Sequence, residues 1–226
     1  MKAESFAVDT GGGVFRASRE APGGGPAGGD ALHGHGARTP GSIGLWIFMG
    51  VVTALFTLFL AAYVMRMDSP DWQRIALPWQ VWLSTVVLAA ACVSMEIARR
   101  AAHSGRMVRA RQAFRLGGMG AVGFVGVQLW AWQALYALHV VPANNPAGSF
   151  FYLLTAMHGL HMLGGLVAFA FVAVDRGSGT RTVMRIGLCA RYWHFLLAVW
   201  VVLLGALGWL TPELVAYICG DRKSVV

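Results

Sequence analysis

Five apolar stretches, each close to the length needed to cross a lipid bilayer, dominate the sequence after residue 42. They cover about residues 43–65, 78–98, 116–138, 148–174 and 190–210. A helix rises 1.5 Å per residue, so about 20 apolar residues span the roughly 30 Å of hydrocarbon in a membrane. The connections between the stretches are too short to hold a soluble domain. The sequence therefore predicts an all-α polytopic membrane protein, a bundle of five transmembrane helices.

The segments that flank the apolar stretches have a different composition. Residues 1–42 are rich in Gly, Ala and Pro, with runs such as APGGGPAGGD. Such a segment buries too little apolar surface to offset its chain entropy, so a flexible N-terminal tail is expected. It has no apolar region before residue 43, which argues against a cleavable secretory signal. The predicted organisation is a tail over 1–42, a membrane domain over 43–210 and a short C-terminal tail over 211–226.

The distribution of basic residues predicts the orientation of the bundle. Eleven arginines fall on the side that carries the N-terminal tail, and four basic residues fall on the opposite side. Because Lys and Arg accumulate in cytoplasmic connections, the N-terminus is expected inside and the C-terminus outside. The first set is Arg38, Arg99, Arg100, Arg106, Arg109, Arg111, Arg115, Arg176, Arg181, Arg185 and Arg191, and the second is Arg66, Arg74, Arg222 and Lys223.

The net charge of +8 does not indicate a nucleic-acid-binding protein. Most of the arginines are expected in two short connections between apolar stretches, a pattern typical of topology signals rather than of a phosphate-binding face. The three cysteines, Cys92, Cys189 and Cys219, show no metal-ligand spacing. Neither a nucleic-acid partner nor a metal site in this chain is predicted.

Carboxylates are scarce in the apolar stretches, where Glu96 stands alone. A proton pump or a cation-coupled transporter normally carries several carboxylates inside the membrane as relays. Autonomous transport by this chain is therefore disfavoured. Glu96 is expected to pair with Arg99 or Arg100, which follow it at (i, i+3) and (i, i+4) spacing on a helix.

Three histidines, His158, His161 and His194, are candidates for a functional site. A polar ring in hydrocarbon is costly without a partner, so His158 and His161 are expected to face protein. Histidines on different helices can hold a b-type haem, but the expected depths of His161 and His194 match poorly for one porphyrin. Helix packing or lipid contact is favoured. A free-standing bis-histidine membrane cytochrome b stays as an alternative of another class.

Two further groups of residues are consistent with lipid contact. Trp193, beside Arg191 and His194, has the composition of an interfacial anchor or a phospholipid headgroup site, because aromatic rings settle at headgroup depth and basic side chains attract anionic lipid. Small residues on the fourth stretch allow either close helix packing or a lipid wedge. These small residues are Gly159, Gly164 and Gly165.

The same residues carry a family resemblance. The block FYLLTAMHGLHMLGG and the later block YWHFLLAVWVVLL resemble the hallmark of subunit III of haem–copper terminal oxidases. The first stretch, GLWIFMGVVTALFTLFLAAYV, is also similar to the family pattern, and the resemblance runs from about residue 41 to 210. A chain of five helices matches bacterial forms that lack the first two helices of the seven-helix version.

The resemblance implies a non-catalytic subunit III of a bacterial respiratory oxidase of the cytochrome c oxidase type, in the cell inner membrane. In that family, subunit III binds no haem or copper, packs beside the redox subunit I with subunit II in the same complex, and holds phospholipid. It helps to sustain electron transport and proton translocation. The residues that carry over as structural and lipid-contact positions are His158, Gly159, His161, Trp193, His194 and Phe195.

Two positions depart from the family pattern. Val52 stands where the first shared helix of the family carries a buried Glu or Asp, and Leu197 stands where the W-H-F-x-D motif has its Asp. Both missing groups are carboxylates, so proton-related roles of that part of the family are not transferred to this chain. A subunit III-like partner of a quinol oxidase or of a nitric oxide reductase remains an alternative.

Overall fold

The structure, a computed structural model, describes residues 40–67, 72, 77–137, 146–175, 177 and 179–210. All the regular structure in these residues is helical, and the all-α prediction is confirmed. The predicted tails lie outside the described residues, apart from residues 40–42 in the first helix. The five helices are α1 (Pro40–Arg66), α2 (Trp79–His103), α3 (Met107–Ala137), α4 (Pro146–Val174) and α5 (Thr180–Trp209).

Four of the helices, α2 to α5, pack closely together, and α1 packs on the outside of this group. α2 and α3 make the most extensive helix pair, α5 packs against α2 and α4, and α3 packs against α4. The connection between α2 and α3 contains Gly105, whose φ of +75° lies in the left-handed region that favours glycine. α1 packs mainly on α4 and α5. We call α2–α5 the four-helix core.

One end of the bundle carries most of the arginines, and we call it the arginine end. α2 and α4 end there, and α3 and α5 begin there. α1 also begins there, since Gly41 and Gly44 line the same groove as Val172 and Arg185. The sequence predicted that these segments lie on one side of the membrane, and this arrangement is consistent with that prediction. Which side of the membrane the arginine end faces stays a prediction.

The expectation that these arginines lie in short loops is wrong for most of them. Of the nine that the structure describes, Arg106 alone lies in a connection, and the others lie on α2, α3 or α5. Ala, Arg, Met and Leu have high helix propensity, so the helices continue where hydropathy falls. Arg38 and Arg176, on the same predicted side, and Arg74, Arg222 and Lys223, on the other, lie outside the described residues.

Three helix boundaries differ from the predicted ones for the same reason. α2 ends at His103 rather than near 98, α3 begins at Met107 rather than near 116, and α5 begins at Thr180 rather than near 190. Pro78, the first residue of the second predicted stretch, is the N-cap of α2, with an extended backbone at φ −67° and ψ 148°. The missing N–H of proline is tolerated there as well, because an N-cap amide has no partner within the helix.

Among the described residues, four helices are long and apolar enough to cross a membrane, namely α1, α2, α4 and α5. This supports a multi-pass membrane protein. α3 has the length, with 31 residues, but not the hydropathy, because glycines, tryptophans, Gln128 and Gln133 interrupt its apolar sequence. A fifth span by α3 therefore stays a prediction.

Candidate functional site

His158 lies at the centre of an aromatic cluster inside the bundle. Its side chain is fully buried, with 0% exposed surface. The ring centroid lies 5.2 Å from that of Trp200, 5.8 Å from that of Phe124 and 6.4 Å from that of Phe56. Trp200 is fixed by a 2.9 Å hydrogen bond from its Nε1 to Oγ1 of Thr85. Side chains from all five helices thus meet at this cluster.

This packing bears on the two interpretations of His158, as a helix-packing residue or as a haem ligand. Neither ring nitrogen has a hydrogen-bond partner among the described residues. The rings of Phe56, Phe124 and Trp200 lie around the imidazole, with centroids no more than 6.4 Å from it. The geometry favours a packing histidine over a haem ligand. The expectation that His158 faces protein rather than lipid is confirmed.

His161, one turn further along α4, lies in a different environment. It is half-buried, and its Nδ1 lies 2.7 Å from the carbonyl oxygen of Met157. Because a carbonyl only accepts, Nδ1 carries the proton and Nε2 is the nitrogen left open. The hydroxyl of Tyr192 donates to the carbonyl of His161 at 3.0 Å, which ties α5 to α4 at this level.

A wide apolar groove runs between α1, α4 and α5, and we call it the α1 groove. Its volume is about 660 Å³, and His161 contributes to its wall. The polar groups of the lining include the imidazole of His161, the hydroxyl of Tyr192 and the guanidinium of Arg185, which lies near the arginine end. The complete lining is Gly41, Gly44, Leu45, Phe48, Leu160, His161, Gly164, Ala168, Val172, Arg185, Leu188, Cys189 and Tyr192.

Trp193 does not lie where the sequence suggested. Its side chain is fully buried in the four-helix core, and the thiol of Cys92 on α2 donates to its carbonyl oxygen at 3.3 Å. The expectation of an interfacial tryptophan beside Arg191 and His194 is therefore wrong. Residues two apart on a helix point in different directions, whereas residues three apart share a face. The helical spacing could have separated Trp193 from Arg191.

Arg191 and His194 share the outer face of α5, and both are exposed. The Arg191 guanidinium lies over the ring of Trp46, 5.8 Å from its centroid. Nδ1 of His194 lies 2.7 Å from the carbonyl oxygen of Ala190. With Glu96, both side chains line a second cavity between α2 and α5, of about 510 Å³.

Phe195 and Gly159 occupy two further positions of the motifs. Phe195 is half-buried, stacks on Tyr192 with ring centroids 6.4 Å apart, and contacts both apolar clusters of the bundle. Gly159 lines a small cavity of about 230 Å³ between α3 and α4. Beside it, Nε1 of Trp132 donates to Oγ1 of Thr155 at 3.1 Å, a hydrogen bond that joins α3 to α4.

The predicted Glu96 ion pair is confirmed and is double. Glu96 accepts from Nε and Nη2 of Arg99 at 2.8 and 2.7 Å, and from Nε of Arg100 at 2.7 Å. At the end of α4, Asp175 accepts from the Gly177 amide at 2.9 Å and pairs with Arg185 at 3.1 Å. The Gly177 hydrogen bond, followed by the charge of Arg185, lowers the pKa of the Asp175 carboxyl.

The two positions that lack the family carboxylate are apolar in the structure as well. Val52 is buried against Phe56, Leu154 and Leu203, and Leu197 is half-buried against the four-helix core. Within the described ranges, no three His, Cys, Asp or Glu side chains lie close enough together to hold a metal ion. Cys92 and Cys189 are buried thiols, while Cys219 lies outside the described residues.

Several residues of these sites were not singled out from the sequence. Phe56, Phe124 and Thr85 complete the surroundings of His158, and His103 joins the cavity near Arg191. Each lies on a different helix from the motif residue that it meets. No pattern in one sequence reports which helices are neighbours, so the HGLH and YWHF blocks predicted the motif residues but not their partners.

Comparison with known proteins identifies one family. A family model described as cytochrome c oxidase subunit III matches residues 42–211, which include nearly all of the five helices.

Three curated proteins illustrate the similarity. A probable cytochrome c oxidase subunit 3 of Mycobacterium tuberculosis (strain ATCC 25618 / H37Rv) is 31% identical over 122 residues, which are 53% of this chain and 60% of the relative. The cytochrome bo(3) ubiquinol oxidase subunit 3 of Pseudomonas aeruginosa is 26% identical over 180 residues, 76% of this chain and 85% of the relative. The cytochrome c oxidase subunit 3 of Bacillus subtilis is 25% identical over 170 residues, which are 70% of this chain and 81% of the relative. The chain thus spans 60% of the length of the mycobacterial relatives that it matches.

Proposed function

The chain belongs to the cytochrome c oxidase subunit III family, and from this premise we propose that it is the non-catalytic subunit III of a bacterial haem–copper respiratory terminal oxidase. In this proposal it packs beside the redox subunit I, with subunit II in the same complex, in the cell inner membrane. Haem and copper belong to those partners. The chain itself stabilises the complex, binds phospholipid and supports aerobic electron transport and proton translocation.

The observation that carries the proposal is the family match across all five helices, taken together with the role of the motif histidine. His158 is enclosed by aromatic side chains of α1, α3 and α5. A residue that joins helices in this way acts on the stability of the bundle. The structure therefore supports a scaffold more than an electron carrier.

The α1 groove supports the lipid part of the proposal. Its lining is apolar over most of its length, and Arg185 lies close to the arginine end. An acyl chain in the groove would meet apolar side chains, while an anionic headgroup would lie near a guanidinium. The open Cβ positions of Gly44 and Gly164 leave room for the chain. We assign the groove, with His161 in its wall, as the phospholipid site.

The topology is also part of the proposal. Eight of the described arginines lie on helix ends at one end of the bundle, and this asymmetry supports an arginine end on the cytoplasmic side. α3 then crosses the membrane between α2 and α4. Burial of Gly117, Gly118 and Gln128 against the other helices supports this placement in spite of the low hydropathy.

The test is isolation of the chain with its natural complex in a mild detergent. Mass spectrometry of the co-purifying proteins and a reduced-minus-oxidised visible spectrum are then recorded. We expect oxidase subunits I and II and a haem spectrum in the complex, and no haem band in the subunit separated from it. A stoichiometric haem band in the separated chain, or a chain that purifies without a haem-bearing partner, would contradict the proposal.

Two variants refine the test within one motif. His158→Leu removes a ring from the aromatic cluster and is expected to weaken retention of the chain in the complex. His161→Leu changes the wall of the α1 groove and is expected to reduce bound phospholipid while the complex persists. Quantifying subunits and extracted lipid in both variants separates the two roles. Retained complex and unchanged lipid in both would remove these histidines from the site.

A further inference from the structure

A second cavity lies between α2 and α5 at the arginine end, and we call it the polar cavity. It shares no lining residue with the α1 groove. Five of its eight lining side chains are charged or carry an imidazole, whereas the groove is almost wholly apolar. These five are Glu96, Arg99, His103, Arg191 and His194.

Arg191 lines this cavity and forms no ion pair with a described residue. Its guanidinium lies over the ring of Trp46, and no carboxylate among the described residues lies within ion-pair distance of it. A guanidinium presents five N–H donors in a planar fork that suits a phosphate or a carboxylate. The contact with the Trp46 ring at 5.8 Å uses none of these donors, and no described residue accepts a hydrogen bond from them.

The other charges of the cavity do not neutralise Arg191. Glu96 is the one described carboxylate nearby, and it is already shared between Arg99 and Arg100. The lining carries two guanidinium groups against one carboxylate, and Arg100, outside the lining, shares that carboxylate, so positive charge is in excess with the histidines neutral. Arg99 uses Nε and Nη2 for Glu96, which leaves Nη1 available to a ligand.

The two histidines complete the polar lining. Nδ1 of His194 donates to the carbonyl of its own helix at Ala190, so Nε2 is the ring nitrogen that a ligand can meet. His103 is the last residue of α2 and lines the cavity together with Arg99. The apolar side chains of Val183 and Met184 form the rest of the wall. A ligand with one anionic head and an apolar part fits such a wall.

We propose that the polar cavity binds a phosphate oxyanion through Arg191 and Arg99. The shared chemistry is that of anionic phosphate oxygens, supplied either by the headgroup of an anionic phospholipid or by free phosphate. The site is separate from the lipid site of the α1 groove. It rests on the proposed function only in that a membrane surrounds the chain and supplies the lipid.

The experiment measures binding to the lipid-depleted complex, in detergent, by titration calorimetry. Three probes are used: dioctanoyl phosphatidylglycerol, dioctanoylglycerol with the same tails but no phosphate, and inorganic phosphate. The test variant is Arg191→Gln. The matched control is Arg181→Gln, which removes the same charge from an exposed position on the same helix that lines neither cavity.

We expect phosphatidylglycerol to bind the wild-type protein more tightly than dioctanoylglycerol does. Arg191→Gln should weaken phosphatidylglycerol binding about tenfold or more, as loss of a charged hydrogen bond predicts, and Arg181→Gln should leave it unchanged. Inorganic phosphate that binds as tightly as the lipid identifies free phosphate as the occupant. Phosphate that binds far more weakly identifies the headgroup. Either result supports the oxyanion site.

Two results would overturn the inference. One is equal binding of phosphatidylglycerol and dioctanoylglycerol by the wild-type protein, a comparison that needs no variant to fold. The other is equal weakening by Arg191→Gln and Arg181→Gln, which would indicate general surface charge. In both cases a haem-bearing partner still present in the complex leaves the proposed function standing, whereas its absence would count against that function alone.

Discussion

α4 and α5 face two very different surroundings on their two sides. Towards α2 and α3 they meet the four-helix core, where Trp193, Trp200 and Phe124 are almost completely buried. Towards α1 they border a groove of about 660 Å³. His158 and His161 are one helical turn apart, yet the first lies in the aromatic cluster and the second in the groove wall. One short motif therefore contributes to both a packed region and an open one.

Glycines show the physical difference between the two regions most directly. In a bilayer, helices associate through close van der Waals packing rather than through a hydrophobic driving force, so small residues matter where backbones approach. A Cβ added to Gly118 in the core would overlap the ring of Phe169, while a Cβ on Gly164 at the groove would meet nothing within 4 Å. Glycine therefore allows close helix packing in the core, whereas at the groove it leaves space that no side chain fills.

The largest expected effect is that of Trp193→Ala in the four-helix core. Removal of a completely buried indole leaves a cavity and should lower the free energy of unfolding by about 3–5 kcal/mol. Phe48→Ala, which removes an aromatic ring from the groove wall at 47% exposure, is the matched control and should cost much less. Thermal unfolding in detergent measures both. Equal losses would mean that the groove is filled as tightly as the core.

Val52→Glu tests the contact that holds α1 against α4 and α5. Val52 is 2% exposed, and a carboxylate placed in this apolar cluster should cost about 2.5–3.5 kcal/mol. Val52→Gln introduces a side chain of the same shape as Glu but without the charge, and should lower the free energy of unfolding less. The melting temperatures of both variants provide the measurement. An unchanged melting temperature for Val52→Glu would show that water or a partner subunit reaches this side of α1.

A pair of glycine substitutions compares the two regions at equal chemical change. Gly118→Ala forces the Phe169 ring away from Phe114, on which it stacks at 4.6 Å, and should cost about 1–3 kcal/mol through overpacking. Gly164→Ala should be neutral or stabilise the helix by up to about 1 kcal/mol. Chemical denaturation distinguishes them. A stabilised Gly118→Ala would contradict the packing described for the core.

The smallest effect is expected at Asp175, whose partner Arg185 lies at the end of the groove. The pKa of Asp175 is lowered in the folded protein by the Gly177 amide and by Arg185. A lowered carboxyl pKa stabilises the fold above the unfolded pKa, and that stabilisation is lost as pH falls through the folded value. Asp175→Asn should therefore melt slightly earlier than wild type at neutral pH. The difference should disappear in acid, and a difference that persists there would exclude the ionised carboxylate as its cause.

The sequence was informative about several features that one helix decides by itself, though not about all of them. Apolar length predicts where helices lie, and spacing predicts the pairing of Glu96 with Arg99 and Arg100. The arginine-bearing turns of α3 and α5 were missed because hydropathy falls there while helix propensity stays high. Trp193 was misplaced because its neighbours in sequence are not its neighbours on the helix surface.

Features that need two helices could not be predicted. The ring contacts of His158 with Phe56, Phe124 and Trp200 join residues that are far apart in the chain. The polar cavity likewise depends on the packing of α2 against α5, and no local pattern places Arg99 beside Arg191. Only the assembled bundle shows which polar side chains converge.

The connection between α2 and α3 has a consequence for how the protein is made. Three residues, Ser104–Arg106, separate the two helices. On the proposed topology so short a connection cannot leave one helix in the bilayer while the other waits in water. The two must enter the lipid as a hairpin during biosynthesis, and α2 would carry the less apolar α3 with it.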